Sequence, residues 1–295
     1  MLIKSSYYCN AINATNNMKK ILFASAILLA TSIQAQSLKK ANGLSKGLQI
    51  SKTAKSVVVN SMEMMGQQIN TDINNEVVTI YQVKDITAAG TDIDITLAKM
   101  KMEMEVMGQN MSFDSEKPDE SNPMGAKMKE MIGKTTSISV SKEGKIIGKK
   151  SADAASASDA IAQLIGGGSG GLNEGATLDI IMPLTKDEVK VGETWIDSSG
   201  NEEGKNVTVY TLKSITNDVA ELTYTGTVAI NKKGENQGME MLTKLSGTTT
   251  GTLLVDAKSL VIKKRTAKVE MKGTIDMMGM SAPSSMTTTL EETIQ

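Results

Sequence analysis

The sequence predicts an α+β fold that is mostly antiparallel β, with two similar halves of curved sheet and short amphipathic helices packed against them. Three observations predict this class: long stretches in which apolar and polar residues alternate, an internal repeat, and two short stretches with apolar residues at helical spacing. A period of two is typical of a strand with one apolar face, and a spacing of three or four is typical of a helix.

The internal repeat joins residues 78–87 to residues 207–216, which match at an offset of 129 with six identities in ten. Each copy leads into a second alternating stretch, a polar loop, a short helix and a Thr-rich hairpin. The hairpins are expected to turn near Glu143-Gly144 and near Ala257-Lys258, where turn-forming residues interrupt the alternation. The sequence therefore predicts the same strand–strand–helix–strand–strand plan in both halves.

The two helices are predicted at about 123–132 and 238–245. Asn122 suits the N-cap of the first helix and Pro123 its first position, because the N–H that proline lacks has no partner there. Gly133 suits its end. The apolar faces of the two helices are formed by Met124, Met128, Met131, Met239, Leu242 and Leu245.

A methionine-rich stretch, MKMEMEVMGQNM at residues 100–111, is the most distinctive local feature, and shorter echoes of it occur at 62–65, 239–241 and 271–280. Met100, Met102 and Met104 alternate with charged residues, which predicts a strand with a thioether face. The apolar positions earlier in this strand have the opposite phase, so a β-bulge is expected near Ala98-Lys99. Such a bulge would curve the strand.

The chain is expected to divide into four segments: 1–35, 36–150, 151–175 and 176–295. The second and fourth are the two β-rich halves. Residues 151–175 combine an Ala- and Ser-rich helix with a glycine-rich linker, GGGSGG at 166–171. No Gly-Lys-Ser or Gly-Lys-Thr follows these glycines, so the sequence does not support a nucleotide site there.

The first segment is expected to be an N-terminal extension followed by a secretory signal peptide, with translation starting at Met18. Met18-Lys19-Lys20 is a basic start, residues 21–33 are apolar, and Ala35 suits a cleavage site. We therefore expect export, to the periplasm or the medium. The single cysteine, Cys9, precedes the signal, so no disulfide is expected afterwards.

The residue types that are absent exclude several function classes. The chain has no histidine, and no cysteine follows the signal, so neither a thiol nucleophile nor a conventional zinc site is expected. We predict no catalytic residue, no metal, no cofactor and no enzyme activity. With 32 Lys and Arg against 33 Asp and Glu, the charge gives no reason to propose nucleic acid as a partner. No later apolar stretch reaches the length of a membrane span.

Residues 183–195, PLTKDEVKVGETW, followed by the strand that contains Tyr210 and by the segment 247–251, resemble a family of exported bacterial β-rich proteins known only as a domain of unknown function. The resemblance covers most of the chain after the signal. It implies export and a mostly antiparallel fold, and it supplies no catalytic residues.

The sequence leaves three functions open. The favoured one is binding of an apolar or lipid-like ligand in a cavity lined by methionines, which are flexible and polarizable. The alternatives are a structural or protein-interaction module of the cell envelope, and Cu(I) binding through methionine thioethers, which soft metals prefer. Met may also simply fill ordinary core positions. The predicted cavity residues are Met100, Met102, Met104, Met124, Met128, Met131, Met239, Leu242 and Leu245.

Overall fold

The computed structural model of the chain consists almost entirely of β-strands. It describes residues 36–40, 43–117, 123–149, 172, 174–201, 203–236, 239–277 and 279–295. The signal peptide predicted at 1–35, and the Ala/Ser helix and glycine-rich linker predicted within 151–171, lie outside the described residues. Residues 37–295 form one unit.

The described residues form fourteen strands and one helix. In chain order these are β1 Ser37–Lys39, β2 Gln49–Met64, β3 Gln67–Ile86, β4 Thr91–Val106, β5 Gln109–Asp114, α1 Pro123–Lys129, β6 Thr135–Val140, β7 Ile146–Lys149, β8 Glu188–Lys190, β9 Thr194–Asn201, β10 Gly204–Thr216, β11 Val219–Asn236, β12 Met239–Asp256, β13 Ile262–Met277 and β14 Met280–Ile294.

Twelve of these strands form one antiparallel sheet in the order β7-β6-β4-β3-β2-β14-β13-β12-β11-β10-β9, and β5 pairs with the second half of β4. Each half of the chain is a meander, and the two meanders join where β2 pairs with β14. Strands β1 and β8 form a separate two-stranded sheet. The predicted halves therefore share a single sheet.

The predicted α+β class is wrong, because the described residues contain only one helix, of seven residues. The second predicted helix is part of β12, which pairs with β11 on one side and β13 on the other. An isolated eight-residue helix is marginal in water, whereas pairing on both sides satisfies the whole backbone. Leu242 and Leu245, predicted on one helical face, are three positions apart on a strand and so point to opposite faces.

The β-bulge predicted near Ala98-Lys99 is confirmed by the strand register. Lys99 lies opposite Val78 and Leu97 lies opposite Thr79, so Ala98 is the extra residue. The bulge puts Leu97 and Met100 on the same face, which is why the apolar phase of the sequence changes there. The predicted hairpins are also present, as β6–β7 and β12–β13.

The repeated segments occupy equivalent strands. Residues 78–86 of the first copy lie in β3 and residues 207–216 lie in β10, and each strand is the first of a hairpin, with β4 and with β11. Tyr81 is buried in the main core, and its repeat counterpart Tyr210 packs against that core while half-buried. The repeat thus preserves which side chains point inward.

The sheet curves until its two ends approach each other. Lys145, between β6 and β7, lies with its Nζ 3.1 Å from Oδ1 of Asp197 on β9, although β7 and β9 are at opposite ends of the strand order. The Lys145–Asp197 contact lies near the strand ends at which β2 begins and β14 ends, and we call this side of the sheet the closed end. The opposite end, with the β2–β3, β4–β5 and β13–β14 hairpin turns, is the open end.

Residues 177–184, which we call the crossing segment, lie across the inner face at the closed end. The Leu178 N–H donates to the Gly144 carbonyl, and the Met182 N–H donates to the Leu260 carbonyl, both at 2.8 Å. Leu178, Met182 and their apolar neighbours are buried within the main core cluster. The crossing segment therefore connects the turn of one half to the turn of the other and closes this end of the sheet.

Candidate functional site

The inner face is less completely buried at the open end than at the closed end. Many half-buried apolar side chains there follow the same alternation as the buried residues of their strands, so they point inward, and six of these lie on six different strands. They come from β2, β3, β4, β5, β13 and β14, and we call them the open-end face. The open-end face consists of Met62, Ile69, Met104, Met111, Ile275 and Met286.

Two separate apolar clusters flank this face. The first combines β3, β4, β5 and helix α1, and its buried members are Val77, Leu97, Met100, Met102, Phe113 and Met128. The second combines β11, β12 and β13 around Val228, Leu245 and Met271, with Met286 packed against them. Strand β2 runs between the two clusters and points buried polar side chains such as Ser56 to the inner face.

The predicted cavity residues are distributed over these features. Met100, Met102 and Met128 come together in the first cluster, with Met131 half-buried against it. Met104 is half-buried on the open-end face, Leu245 lies in the second cluster, and Leu242 is half-buried on the opposite face of β12. The side chains of Met124 and Met239 lie outside the described residues.

Two cavities in the described part of the chain lie on the outward face, away from all nine predicted residues. The larger, about 550 Å³, crosses β2, β3, β4, β13 and β14, and five of its thirteen lining residues are charged. These are largely paired: Lys101 Nζ lies 3.0 Å from Oε1 of Glu103, and Lys55 Nζ lies 3.6 Å from Oε2 of Glu76. The smaller, about 310 Å³, lies beside the β4–β5 turn at Met107.

A buried group of charged residues lies where β2 and β14 join the two halves. Lys52 and Glu292 are buried on the inner face, and Lys52 Nζ is 3.5 Å from Oε1 of Glu292. Lys52 also forms an ion pair with Asp179 of the crossing segment. Arg265 contacts both carboxylate residues, with Nη1 3.0 Å from Oε2 of Glu292 and Nη2 donating to the Asp179 carbonyl at 2.9 Å. Tyr81 donates from its hydroxyl to Oδ1 of Asp179 at 2.9 Å.

These contacts favour the charged forms of Lys52 and Asp179. Burial opposes a charged Lys52, but the Asp179 carboxylate, together with the carboxylate of Glu292, holds the pKa of Lys52 well above its usual value. Burial likewise opposes ionisation of Asp179, and the neighbouring Lys52 outweighs it and lowers the pKa of Asp179. Burial raises the pKa of Tyr81 far above its usual value, so Tyr81 stays protonated.

Sequence reasoning missed this group, although a signal was available. Lys52 stands at an apolar position between Ile50 and Ala54, and Glu292 stands between Leu290 and Ile294. A charge in phase with an apolar face indicates a buried charge that needs a partner. With two cations and two anions, the group is balanced by its own residues and fixes the crossing segment to β2, β3 and β13.

Two further observations bear on the chemistry of the molecule. No cluster of His, Cys, Asp and Glu suited to a metal ion occurs among the described residues. Within the same residues, no helix has the length and hydrophobicity needed to cross a membrane.

Comparison with solved structures gives distant likenesses. Lipovitellin, in a structure concerned with lipid–protein interactions, is 11% identical, covers 85% of this chain and has a TM-score of 0.49, and this chain spans only 26% of that one. An outer membrane channel of Pseudomonas putida F1 is 7% identical over 87% of this chain and 98% of its own, with a TM-score of 0.26. The OccK5 (OpdH) protein of Pseudomonas aeruginosa is 6% identical over 86% of this chain and 100% of its own, also with a TM-score of 0.26. Likenesses of this degree establish neither fold nor function.

Sequence comparison identifies the family. No curated protein matches the chain. A family model matches it in two segments, residues 88–164 and 178–262, which together make up more than half of the 295 residues. The two segments fall one in each half of the chain. The resemblance to a domain of unknown function is therefore confirmed: the chain belongs to the DUF6263 family, a family of unknown function.

Proposed function

We propose that this protein is exported, has no catalytic activity, and binds an apolar, lipid-like ligand on its inner face at the open end. The observation that carries the proposal is the open-end face, where inward-pointing Met and Ile side chains from six strands remain half-exposed. Large contiguous apolar patches are uncommon on monomeric soluble proteins, and many of those that occur are ligand-binding or interaction sites.

The character of this face suits a flexible apolar ligand. Four of its six members are methionines, whose unbranched thioether side chains adapt to irregular shapes. The face lies between two apolar clusters that do not merge, so an acyl chain placed there would contact both. Each Å² of apolar surface buried between such a ligand and the two clusters would stabilise the complex by about 25 cal/mol.

Native mass spectrometry and uptake of a fluorescent fatty acid test this function. Protein purified after export is expected to carry a lipid adduct or to bind the probe. Met104→Gln and Met286→Gln, which make the face polar at similar volume, are expected to weaken binding about tenfold each, in line with the burial of one such side chain. Ile196→Gln, on the outward side of β9, is the matched control and should bind normally. A bare mass together with no uptake would exclude the proposal.

The strand register also favours a second candidate, Cu(I) binding. Met241, Met277 and Met280 lie opposite one another on the neighbouring strands β12, β13 and β14. Cross-strand neighbours are about 5 Å apart, which is close enough for thioethers to share one soft metal ion. Tight Cu(I) binding in competition with a chelator, lost on changing these three to Leu and kept when Met100, Met102 and Met104 are changed, would support it.

A further inference from the structure

Three neighbouring hairpins at the open end share an unusual turn sequence. The central residues are Met65-Gly66 in the first and Met107-Gly108 in the second, and the third contains Gly279, which Met278 precedes in the sequence. Met65 has φ 53° and Gly66 φ 76°, and Met107 and Gly108 have φ 52° and 79°. Gly279 has φ 78°, while Met278 lies outside the described residues. Positive φ at both central residues is the geometry of a type I′ hairpin turn.

Turn geometry does not account for methionine at these positions. The left-handed region disfavours bulky apolar residues, and the first central residue of such turns is normally Asn, Asp or Gly. The β10–β11 hairpin at the closed end follows this rule with Asn217 at φ 51° and Asp218 at φ 62°. The same chain thus uses polar residues for this geometry at one end and methionine at the other.

Met65 and Met107 project into solvent. Met65 is 85% exposed and Met107 is 69% exposed. The hairpins β5–β4, β3–β2 and β14–β13 are consecutive in the sheet, so their turns are separated by two strands, about 10 Å across the sheet. The open end therefore presents the exposed apolar side chains of Met65 and Met107 beside the open-end face.

The charged residues near the hairpin tips restrict the kind of surface to which the tips can bind. Each tip has one acidic residue two positions before its central methionine: Glu63, Glu105 and Asp276. No Lys or Arg lies within three sequence positions of any of the three methionines, although Lys244 on the neighbouring strand β12 lies with its Nζ 3.7 Å from Oδ2 of Asp276. Binding to anionic lipid relies on clusters of basic residues, which these tips lack. The tips are suited to an uncharged or zwitterionic surface.

We infer that the open end docks on a neutral lipid surface through its Met-Gly tips. Separate, flexible apolar side chains can enter a lipid interface without the shape complementarity that a protein partner would require. Docking in this orientation places the open-end face at the lipid surface. The inference goes beyond ligand binding, because the tips would associate with lipid whether or not a ligand occupies the inner face.

Co-sedimentation of the purified protein with phosphatidylcholine vesicles tests the inference. We expect association that weakens when phosphatidylglycerol is added to the vesicles. The double variant Met65→Asn/Met107→Asn is expected to associate at least about tenfold more weakly, because two exposed apolar side chains are lost. Its thermal midpoint should be unchanged or higher, since Asn suits the turn better, and this result rules out misfolding as the cause.

Asn217→Met is the matched control: it places an exposed methionine in the same turn geometry at the closed end and should leave vesicle association unchanged. Vesicle association that is absent in the wild type, unaffected in the double variant, or stronger with phosphatidylglycerol would overturn the inference. Specific capture of a protein with no vesicle association would do the same. Fatty-acid uptake without vesicles should be normal in the double variant, so a failure here is separable from a failure of the proposed ligand binding.

Discussion

Asp179 is the one charged residue of the crossing segment, and its contacts explain how an apolar segment is held in register. Its carboxylate faces Lys52 and Tyr81, while its carbonyl accepts from Arg265. Glu292 completes the charge balance. An apolar core alone specifies position weakly, whereas directional polar contacts admit one arrangement. The contacts of this group therefore fix the position of the crossing segment on the sheet.

Replacing the carboxylate tests that role. Asp179→Asn is expected to lower the free energy of unfolding at neutral pH by about 2 kcal/mol, below the usual cost of breaking a buried ion pair because Asp179 is 36% exposed. The pKa of Asp179 is lowered in the folded state. The contribution of the Asp179 carboxylate to stability is therefore fully present above the pKa of aspartate in the unfolded chain, about 3.9. It is lost as the pH falls through the lower pKa of the folded state.

Denaturant titrations at several pH values measure this difference. The difference in the free energy of unfolding between wild type and Asp179→Asn should be constant near neutral pH and should become smaller below about pH 4. Lys52 does not alter this window, because its raised pKa keeps it charged throughout the acid range. A gap that stays the same down to strongly acid pH would show that the carboxylate charge contributes nothing.

Thr288 shows the opposite situation, a buried hydroxyl without a partner. Thr288 is 2% exposed on the inner face of β14, and its Oγ1 forms no hydrogen bond among the described residues. Thr288→Val keeps the shape and removes the unsatisfied group. We expect the free energy of unfolding to rise by about 1 kcal/mol, measured by urea denaturation. A loss of stability would mean that the hydroxyl is satisfied in solution.

At the scale of elements, strands β11–β13 carry glycines where neighbouring strands come close. Gly251 lies opposite Tyr224, whose ring covers it and whose hydroxyl donates to the Thr266 carbonyl at 2.9 Å. A Cβ at Gly251 would meet the Thr266 oxygen at 2.0 Å and the Tyr224 ring at 2.5 Å. An aromatic side chain that covers a strand glycine is a known way to stabilise a curved sheet.

Gly251→Val is therefore expected to destabilise the protein by about 3 kcal/mol or more, because backbone and ring must both move. Gly148→Val is the control: this glycine also lies in a strand, but a Cβ there meets no atom within 4 Å. Thermal unfolding of the two variants measures the contrast. Equal midpoints would contradict the close packing of Tyr224 on Gly251.

The elements also show which features can be predicted from sequence. The change of apolar phase between Leu97 and Met100 identifies the β-bulge because a period of two has only two phases. The stretch from Met239 to Leu245 misleads, because apolar residues at intervals of three fit a short helix as well as a strand. Only the pairing of β12 with β11 and β13 decides between them. Strand pairing of this kind cannot be predicted from the local sequence pattern.

At the scale of the whole molecule, the repeat correctly identifies two similar halves, but it does not predict that their strands form one continuous sheet. The pairing of β2 with β14 brings together residues more than 200 positions apart, such as Met62 and Ser284. No periodicity within either strand indicates this partner. The candidate site is affected in the same way: Met104 and Met286 face one surface only because β4, β3, β2 and β14 are neighbours.

Sharing one sheet has a consequence for folding. The β2–β14 pair, the Lys52–Asp179 contact and the core cluster all cross between the halves. Neither half can lose its structure without exposing strand edges and apolar surface of the other, so we expect one cooperative transition rather than two. Trp195, the single tryptophan, lies buried in the second half with its indole N–H donating to the Pro183 carbonyl at 2.8 Å. Its fluorescence and the far-ultraviolet circular dichroism of the whole chain should therefore change at the same urea concentration. Separate midpoints would mean that the halves unfold independently, as the repeat by itself suggests.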